Sequence, residues 1–290
     1  MTLEKASPCK VNLILNILGK RADGFHELET VMHPVPVCDQ LSVQRSGKGI
    51  QLSCSHPELP TDARNLVFRA AEAFCLAAGI GDGIKLHLEK RVPLAAGLGG
   101  GSGNAATALL ALNELFGQPL AADQVSQIAA QLGSDIPFFL QSQPALATGR
   151  GERVASLAAF PALTDAAIFL VHPGFGIATA WAYRELARFP AALNGHAGRA
   201  QRLIEALRGT NLEAAGREFY NSLEAPALEK FPILALYQEF LREQGAAVAL
   251  MSGSGSTTFA IFPSLQTAEA AVEPFRTRFG RQGWIAVVAM

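Results

Sequence analysis

The chain has 290 residues, which is long for a single hydrophobic core and typical of two domains of ordinary size. Hydrophobic residues make up 49% of it and charged residues 17%, so the composition excludes a disordered or fibrous protein. The formal net charge is −1 and no run of Lys or Arg occurs, which argues against a nucleic-acid partner.

The first half of the chain reads as alternating strands and helices. Residues 11–18 predict a strand that places Lys10 and Asn12 on one face. Further strands are predicted at 41–45 and 84–90, and helices at 65–78, from 104 to 117, at 123–132 and after Ser134. Gly79 and Gly133 are predicted to end two of these helices.

The second half has a different order of elements. Strands are predicted at 166–171, 248–251, 257–262 and 284–288, and helices at 233–244 and 267–279. Paired strands separated by helices indicate a split βαβ arrangement. We therefore predict an α+β protein with two domains, 1–155 and 156–290.

The cysteines and the N-terminus indicate the compartment. Four cysteines, at positions 9, 38, 54 and 75, form no CxxC pair and have no His cluster beside them, so free thiols are expected. The first ten residues lack the apolar segment of a signal peptide, and no run of about 18 apolar residues predicts a membrane span. We expect a cytoplasmic protein without a membrane partner, either a monomer or a weak homodimer.

A glycine-rich segment at 93–104, PLAAGLGGGSGN, follows a predicted strand and precedes a predicted helix. Five glycines between Gly97 and Gly103 allow backbone amides to point at an anion, and the helix N-terminus adds partial positive charge. The spacing matches neither GxxxxGK[ST] nor GxGxxG. The segment therefore predicts a polyphosphate site and leaves the class of phosphate ligand open.

A second glycine cluster, MSGSGST at 251–257, lies between two apolar strands. A hairpin turn would explain it, but a turn needs only two or three such residues. The excess indicates closeness to a ligand or to the first glycine segment.

Asp135 is the candidate base. An acidic residue at the start of a helix is favoured by the helix dipole alone, so its position does not distinguish catalysis from capping. Phosphoryl transfer to an alcohol needs a group that takes the hydroxyl proton and a cation that offsets developing charge. Lys10 is the candidate cation, although a lone lysine is usually a solvated surface charge, and sequence spacing cannot bring the two together.

Four stretches resemble the GHMP kinase superfamily, and within it the kinases that act on 4-diphosphocytidyl-2-C-methyl-D-erythritol in the non-mevalonate isoprenoid route. They are SPCKVNLILNILGKRADGFHELETV at 7–31, RNLVFRAA at 64–71, PLAAGLGGGSGNAAT at 93–107 with SDIPFF at 134–139, and MSGSGSTTFAIF at 251–262. The resemblance implies an N-terminal ATP-binding domain, a C-terminal split-βαβ (ferredoxin-like) domain and an active site between them. It also implies transfer of the ATP γ-phosphate to the 2-hydroxyl of that substrate.

The resemblance also assigns roles to residues. Asp135 is implied to be the base and Lys10 its partner. The implied ATP contacts are Pro93, Gly97, Leu98, Gly99, Gly100, Gly101, Ser102, Gly103, Asn104, Asn65 for the adenine and Lys90 beside the nucleoside. The implied substrate contacts are Asn12, Phe25, His26, Thr179, Tyr183 and Gly253. Mg²⁺ is expected with ATP, with Ser102 as the candidate ligand.

Two positions depart from the family pattern. Gly103 stands where the family commonly has Ser, so one phosphate hydrogen bond is either missing or made by backbone. Phe25 lacks the hydroxyl of the Tyr often found there, which keeps stacking and loses a polar contact. Neither departure touches Asp135 or Lys10, so activity is expected to persist.

Two other functions fit parts of the pattern. A different small-molecule kinase of the same superfamily would share the phosphate loop, but its substrate would have no use for the GFH segment at 24–26. A non-catalytic nucleotide-binding protein on the same fold is expected to have lost the base or the phosphate loop, and both stand here.

Overall fold

The computed structural model describes residues 2–290 and divides into two compact units. The first unit contains the N-terminal residues up to Cys9 together with Val37–Val92 and Gly99–Ser142. The second contains Lys10–Pro36, Pro93–Leu98 and Gln143–Met290. A compact unit groups residues by contact and a family domain by descent, so the domains 1–155 and 156–290 stay a prediction.

The elements follow one another along the whole chain. The strands are β1 (Thr2–Lys20), β2 (His26–Ser46), β3 (Ile50–Cys54), β4 (Gly83–Glu89), β5 (Ala145–Gly149), β6 (Arg153–Ser156), β7 (Ala167–His172), β8 (Tyr220–Asn221), β9 (Val248–Met251), β10 (Thr258–Phe262) and β11 (Trp284–Ala289). The helices are α1 (Leu66–Ala78), α2 (Gly100–Leu115), α3 (Ala122–Leu132), α4 (Thr179–Glu185), α5 (Pro190–Leu193), α6 (Arg199–Arg208), α7 (Leu212–Gly216), α8 (Glu224–Lys230), α9 (Ile233–Glu243), α10 (Leu265–Ala270) and α11 (Val272–Phe279). Short 3₁₀ turns lie at Pro137–Leu140, Pro161–Leu163 and Leu186–Arg188.

The first unit is built on β4. This strand pairs in parallel with β3 and antiparallel with the second half of β2. Ile84, Leu86 and Leu88 alternate along it and are buried, which confirms the predicted strand. Helix α1 packs against α2 and α3, and its buried Phe74 lies 6.2 Å from Phe116, ring centre to ring centre.

The second unit contains a four-stranded antiparallel sheet in the order β11-β7-β10-β9. This order is that of the split βαβ arrangement, so the prediction for the second half is confirmed. The strands are almost wholly apolar, and Phe169 lies at the centre of a core with Phe262 and Phe275. In the same unit β8 pairs in parallel with β1, Ile14 opposite Tyr220.

Most predicted elements lie where expected. Asn65 caps α1, with its side chain accepting from the amide of Val67, and Gly79 ends that helix in the left-handed conformation. Helices α3 and α9 match their predicted ranges to within one residue at each end. Strand β1 is longer than predicted and includes Lys10 within its length.

Three predictions about helices were wrong. Helix α2 begins at Gly100, not near Asn104, because packing outweighs the low helix propensity of glycine. The segment after Ser134 forms only the turn Pro137–Leu140. The helix predicted at 267–279 is two helices, since Pro274 has no amide to donate back to Ala270 and its ring clashes there.

Among the helices of residues 2–290, none combines the length and the apolarity that crossing a membrane requires.

A partly buried carboxyl in the second unit predicts a pH dependence of stability. Glu224 accepts hydrogen bonds from the amide of Met251, at 2.7 Å, and from the side chain of Gln238, at 2.6 Å. Burial raises the pKa of Glu224 from its ordinary value to about 7. The folded state therefore holds this proton up to a higher pH than the unfolded state does.

We expect the free energy of unfolding to fall as pH rises from about 4.5 to 7, by up to about 3 kcal/mol from this group. Urea unfolding at pH 5 and pH 8 measures the difference. Glu224→Gln keeps the acceptor oxygen without the ionisation, so its difference is expected to be smaller. Glu239→Gln, on the exposed side of α9, is the control and should follow the wild type. Equal pH dependence in all three proteins would contradict the prediction.

Candidate active site

The glycine-rich segment ends in the first turn of α2. Gly99 caps this helix in the left-handed conformation, with φ 67°. The amide of Gly103 donates to the carbonyl of Gly99 at 2.8 Å, which is the first hydrogen bond of the helix. The first four amides of a helix have no partner within it, and here they belong to residues 99–102. These four amides can donate to an anion.

Gly103 has a packing role. A Cβ placed on it would lie 2.6 Å from the carbonyl oxygen of Pro8 and 3.4 Å from the hydroxyl of Ser7. The position is buried, so a serine here would meet backbone before it met a ligand. The absence of a side chain at Gly103 therefore lets α2 approach the N-terminal strand closely.

Lys90 and Asn104 belong to one buried polar cluster with Asp39. The Lys90 ammonium pairs with the Asp39 carboxylate and donates to the side-chain oxygen of Asn104 at 3.2 Å. The Asn104 amide donates to Asp39 and to Ser7, both at 2.9 Å. Asp39 also accepts from the backbone amides of residues 91 and 92. The cluster fixes the strand end that carries Lys90 to the first two turns of α2.

The cluster places a cation beside the helix terminus. A Cβ on Gly100 would lie 3.4 Å from the Lys90 ammonium. The Asp39 carboxylate is fully buried and compensates that charge where the helix dipole opposes it. Asp39 was missed in the sequence, because a lone Asp in a strand is not a signal.

Asn65, predicted to meet adenine, has its side chain engaged in the first unit. Its oxygen caps α1 and its amide donates to the carbonyl of Pro60 at 2.8 Å. An adenine contact by this residue stays a prediction.

In the second unit a group of polar atoms surrounds the Lys10 ammonium. It donates to the side-chain oxygen of Asn12 at 2.5 Å and to the carbonyl of Gly97 at 3.2 Å. Asn12 in turn donates to the hydroxyl of Thr30 at 2.9 Å. Lys10 is 3% exposed, so it is a positioned cation and not a solvated surface charge.

The second glycine cluster lies against the first glycine segment, as the excess of glycine indicated. The Ser252 hydroxyl donates to the carbonyl of Gly97 at 3.0 Å, and the amide of Thr257 donates to Ala96 at 3.1 Å. A Cβ on Gly97 would lie 2.1 Å from the carbonyl oxygen of Ser252, and one on Gly253 would lie 3.4 Å from the Lys10 ammonium. The fold therefore brings Lys10, Asn12, Gly97 and Gly253 together within the second unit.

The residues predicted to bind cytidine also meet within the second unit. The rings of His26 and Tyr183 lie 4.9 Å apart, centre to centre. Thr179 and Tyr183 are four residues apart in α4 and share one face of it. The Thr179 hydroxyl hydrogen-bonds that of Ser254 at 2.9 Å, which ties this face to the second glycine cluster.

Phe25 is 52% exposed, immediately before β2. The Arg150 guanidinium lies over its ring, 4.7 Å from the ring centre. This cation–π contact was missed in the sequence, because Phe25 and Arg150 lie far apart along the chain. It stabilises an aromatic side chain that would otherwise be free to move.

Asp135 lies in the turn between α3 and the turn Pro137–Leu140, in the first unit, and is half-buried. Pro93 and Leu98 lie in the short second-unit segment Pro93–Leu98, and Leu98 accepts from the amide of Lys10 at 2.9 Å. The roles of these residues stay predictions.

Two sequence families match the chain. The pattern of the GHMP kinases N terminal domain matches residues 65–143, and that of the GHMP kinases C terminal region matches residues 203–281. The first match contains the start of α2 and Asp135, and the second contains the second glycine cluster.

Whole-chain relatives decide the family. The chain is 41% identical over 267 residues to the 4-diphosphocytidyl-2-C-methyl-D-erythritol kinase of Synechococcus sp. (strain JA-3-3Ab), covering 90% of this chain and 85% of that one. It is 38% identical to the kinase of the same name from Syntrophotalea carbinolica, covering 94% of each. The chain belongs to the 4-diphosphocytidyl-2-C-methyl-D-erythritol kinase family. It is thus a GHMP-type kinase, an enzyme that phosphorylates an alcohol.

Solved structures agree with this assignment. A crystal structure of 4-(cytidine 5'-diphospho)-2C-methyl-D-erythritol kinase matches with a TM-score of 0.83 and 35% identity, covering 99% of this kinase and 100% of that chain. A homoserine kinase from Cytophaga hutchinsonii matches with a TM-score of 0.76 at 20% identity, covering 99% of this kinase and 93% of that chain. The second similarity shows the GHMP kinase fold alone.

The Asp39 cluster generates a stability prediction. Asp39→Asn leaves the Lys90 ammonium buried without its carboxylate, and breaking a buried pair in this way costs about 3–5 kcal/mol. Urea unfolding should show that loss. Asp62→Asn is the matched control, since it breaks the solvent-exposed pair with Arg64, where little loss of stability is expected.

The double variant Asp39→Asn/Lys90→Met separates an unpaired charge from general damage. It removes the uncompensated ammonium, so it should recover part of the lost stability. The prediction is wrong if Asp39→Asn is no more destabilising than Asp62→Asn.

Proposed function

We propose that this kinase transfers the γ-phosphate of ATP to the 2-hydroxyl of 4-diphosphocytidyl-2-C-methyl-D-erythritol, a step in the non-mevalonate route to isoprenoid precursors. The relatives that share up to 41% of its residues carry the name of that activity. The observation that carries the substrate assignment is the pairing of His26 with Tyr183 beside the second glycine cluster. The substrate of a polyol kinase or an amino-alcohol kinase carries no nucleobase that such a pair could bind.

Cytosine suits these side chains. It is planar and has a hydrogen-bonding edge, which an aromatic ring and a neutral imidazole can bind. Burial, and after it the nearby Lys20 ammonium, lowers the pKa of His26 below its ordinary value. The ring is therefore neutral near pH 7, with one donor and one acceptor nitrogen. Phe25, held by Arg150, adds an exposed aromatic face.

ATP is assigned to the glycine-rich segment. The amides of residues 99–102 point out of the first turn of α2, where the helix dipole also favours phosphate. Lys90 adds a cation whose charge Asp39 already balances. A polyphosphate is thus bound mainly by backbone, in keeping with a loop that has few charged side chains.

Asp135 is assigned the base and Lys10 the cation. The base accepts the proton of the substrate hydroxyl while the hydroxyl oxygen attacks the γ-phosphorus of ATP. The bond between the γ-phosphorus and the oxygen that bridges it to the β-phosphate breaks, and ADP leaves. The Lys10 ammonium stabilises charge on the transferring group. Asn12 and Gly97 direct the ammonium by accepting two of its three hydrogens.

Magnesium is proposed to accompany ATP. Within residues 2–290 no group of three His, Cys, Asp or Glu side chains could enclose a metal ion. Mg²⁺ commonly keeps several waters and is bound through substrate phosphates with only one or two protein ligands. The Ser102 hydroxyl, in the first turn of α2, is the candidate protein ligand. The ion supplies neutralisation of phosphate charge when bound.

We also propose that the kinase works in the cytoplasm as a monomer or weak homodimer. Its four cysteines are free thiols, which suits a reducing compartment.

A substrate panel tests the proposed function. Purified enzyme is incubated with ATP and Mg²⁺ and with either 4-diphosphocytidyl-2-C-methyl-D-erythritol, homoserine or mevalonate, and ADP release is measured. We expect turnover only with the cytidine compound. Turnover of another alcohol in its place would show a different kinase of the same fold.

Asp135→Asn in the same assay tests the base. We expect kcat to fall by about 10²–10⁴, the usual contribution of a general base, with KM for ATP changed little. Asp123→Asn, an acid in the first turn of α3, is the control and should retain kcat. Full turnover by Asp135→Asn would remove Asp135 from the mechanism.

A further inference from the structure

The short segment Tyr220–Glu224 contains buried polar side chains that the proposed mechanism does not use. Asn221 is 2% exposed, and its amide donates to the carbonyl of Met251 and to that of Gly253, both at 2.8 Å. Its oxygen accepts from the amide of Leu223 at 2.9 Å. Both N–H donors of this side chain and its oxygen thus make hydrogen bonds.

The same segment is fastened to the strand that carries Lys10. Strand β8 pairs in parallel with β1, with Leu15 opposite Asn221. The amide of Ser222 donates to Leu15 and its hydroxyl accepts from the amide of Ile17. Asn221 therefore holds a fixed position relative to the Lys10 strand.

The backbone that Asn221 holds lies against the Lys10 ammonium. A Cβ on Gly253 would be 3.0 Å from the carbonyl oxygen of Gly97 and 3.4 Å from the Lys10 ammonium. Ser252, between the two carbonyls that Asn221 binds, donates to the same Gly97 oxygen. Movement of this loop would shift Gly97 and Gly253, which both lie beside the Lys10 ammonium.

We propose that Asn221 is a positioning residue for the reaction: it holds the second glycine cluster against Gly97 and so fixes the Lys10 ammonium. The inference rests on the proposed role of Lys10. Glu224 also contacts this loop, since it accepts from the amide of Met251. Replacing a residue that has only a structural role would lower the stability of the protein. Replacing a positioning residue would lower kcat more than it changes KM.

Asn221→Asp is the sharpest variant. Aspartate keeps the shape and the oxygen that accepts from Leu223, and it replaces the donor to the two carbonyls by an acceptor. We expect kcat with ATP and 4-diphosphocytidyl-2-C-methyl-D-erythritol to fall by about 10–10²-fold, the scale of a 1 Å misplacement, with both KM values within about threefold.

Asn113→Asp is the matched control. Asn113 also donates to a backbone carbonyl, that of Leu120 at 3.0 Å, and accepts from its amide, but it closes the turn after α2 and not a glycine cluster. Its kcat should equal that of the wild type. Equal kcat values for the two aspartate variants would overturn the inference. If Asn221→Asp does not fold, Asn221→Ser, which keeps a smaller donor, takes its place in the comparison.

A double variant tests whether Asn221 acts through Lys10. If it does, Asn221→Asp/Lys10→Met should be no slower than Lys10→Met, since the positioned group is already gone. Multiplying losses would refute the inference. Wild-type turnover tests the proposed function separately. Should another alcohol prove to be the substrate, the same comparison is made with that alcohol.

Discussion

The carbonyl oxygen of Gly97 accepts a hydrogen bond from the Lys10 ammonium at 3.2 Å and another from the Ser252 hydroxyl at 3.0 Å. The bond from Ser252 requires the second glycine cluster to lie against the glycine-rich segment, backbone against backbone. Only glycine allows this approach at position 97, because a Cβ would meet the carbonyl of Ser252 at 2.1 Å. The polar arrangement around the Lys10 ammonium depends on this contact, since Asn12, Gly253 and Asn221 are all arranged around it.

The glycines of this kinase therefore serve different ends. Those at 99–101 lie at the start of α2, where the first amides have no partner within the helix, and their binding of phosphate stays a prediction. Gly97 and Gly103 permit close packing, one against the second cluster and the other against the N-terminal strand. A sequence pattern records only that a side chain is absent. Whether the space is filled by a ligand or by another backbone is decided by the fold.

Local chemistry made much of the fold predictable. Alternation identified β4, and capping residues identified the ends of α1 and α3. The resemblance to GHMP kinases supplied the candidate site. What could not be predicted were contacts between distant segments, such as Asp39 with Lys90 and Asn221 with Gly253. A single polar residue in a strand has no pattern, and only the folded chain shows what it meets. Helix breaks were missed where Pro274 or packing outweighed propensity.

The most direct test of the Gly97 contact compares two glycine-to-alanine variants. Gly97 and Gly245 both have positive φ, 77° and 95°, so alanine strains the backbone at each by about 1–2 kcal/mol. A Cβ on Gly245 meets nothing within 4 Å, whereas one on Gly97 meets Ser252. The account predicts that Gly97→Ala lowers kcat by at least about tenfold more than Gly245→Ala does. Equal kcat values for the two variants would contradict it.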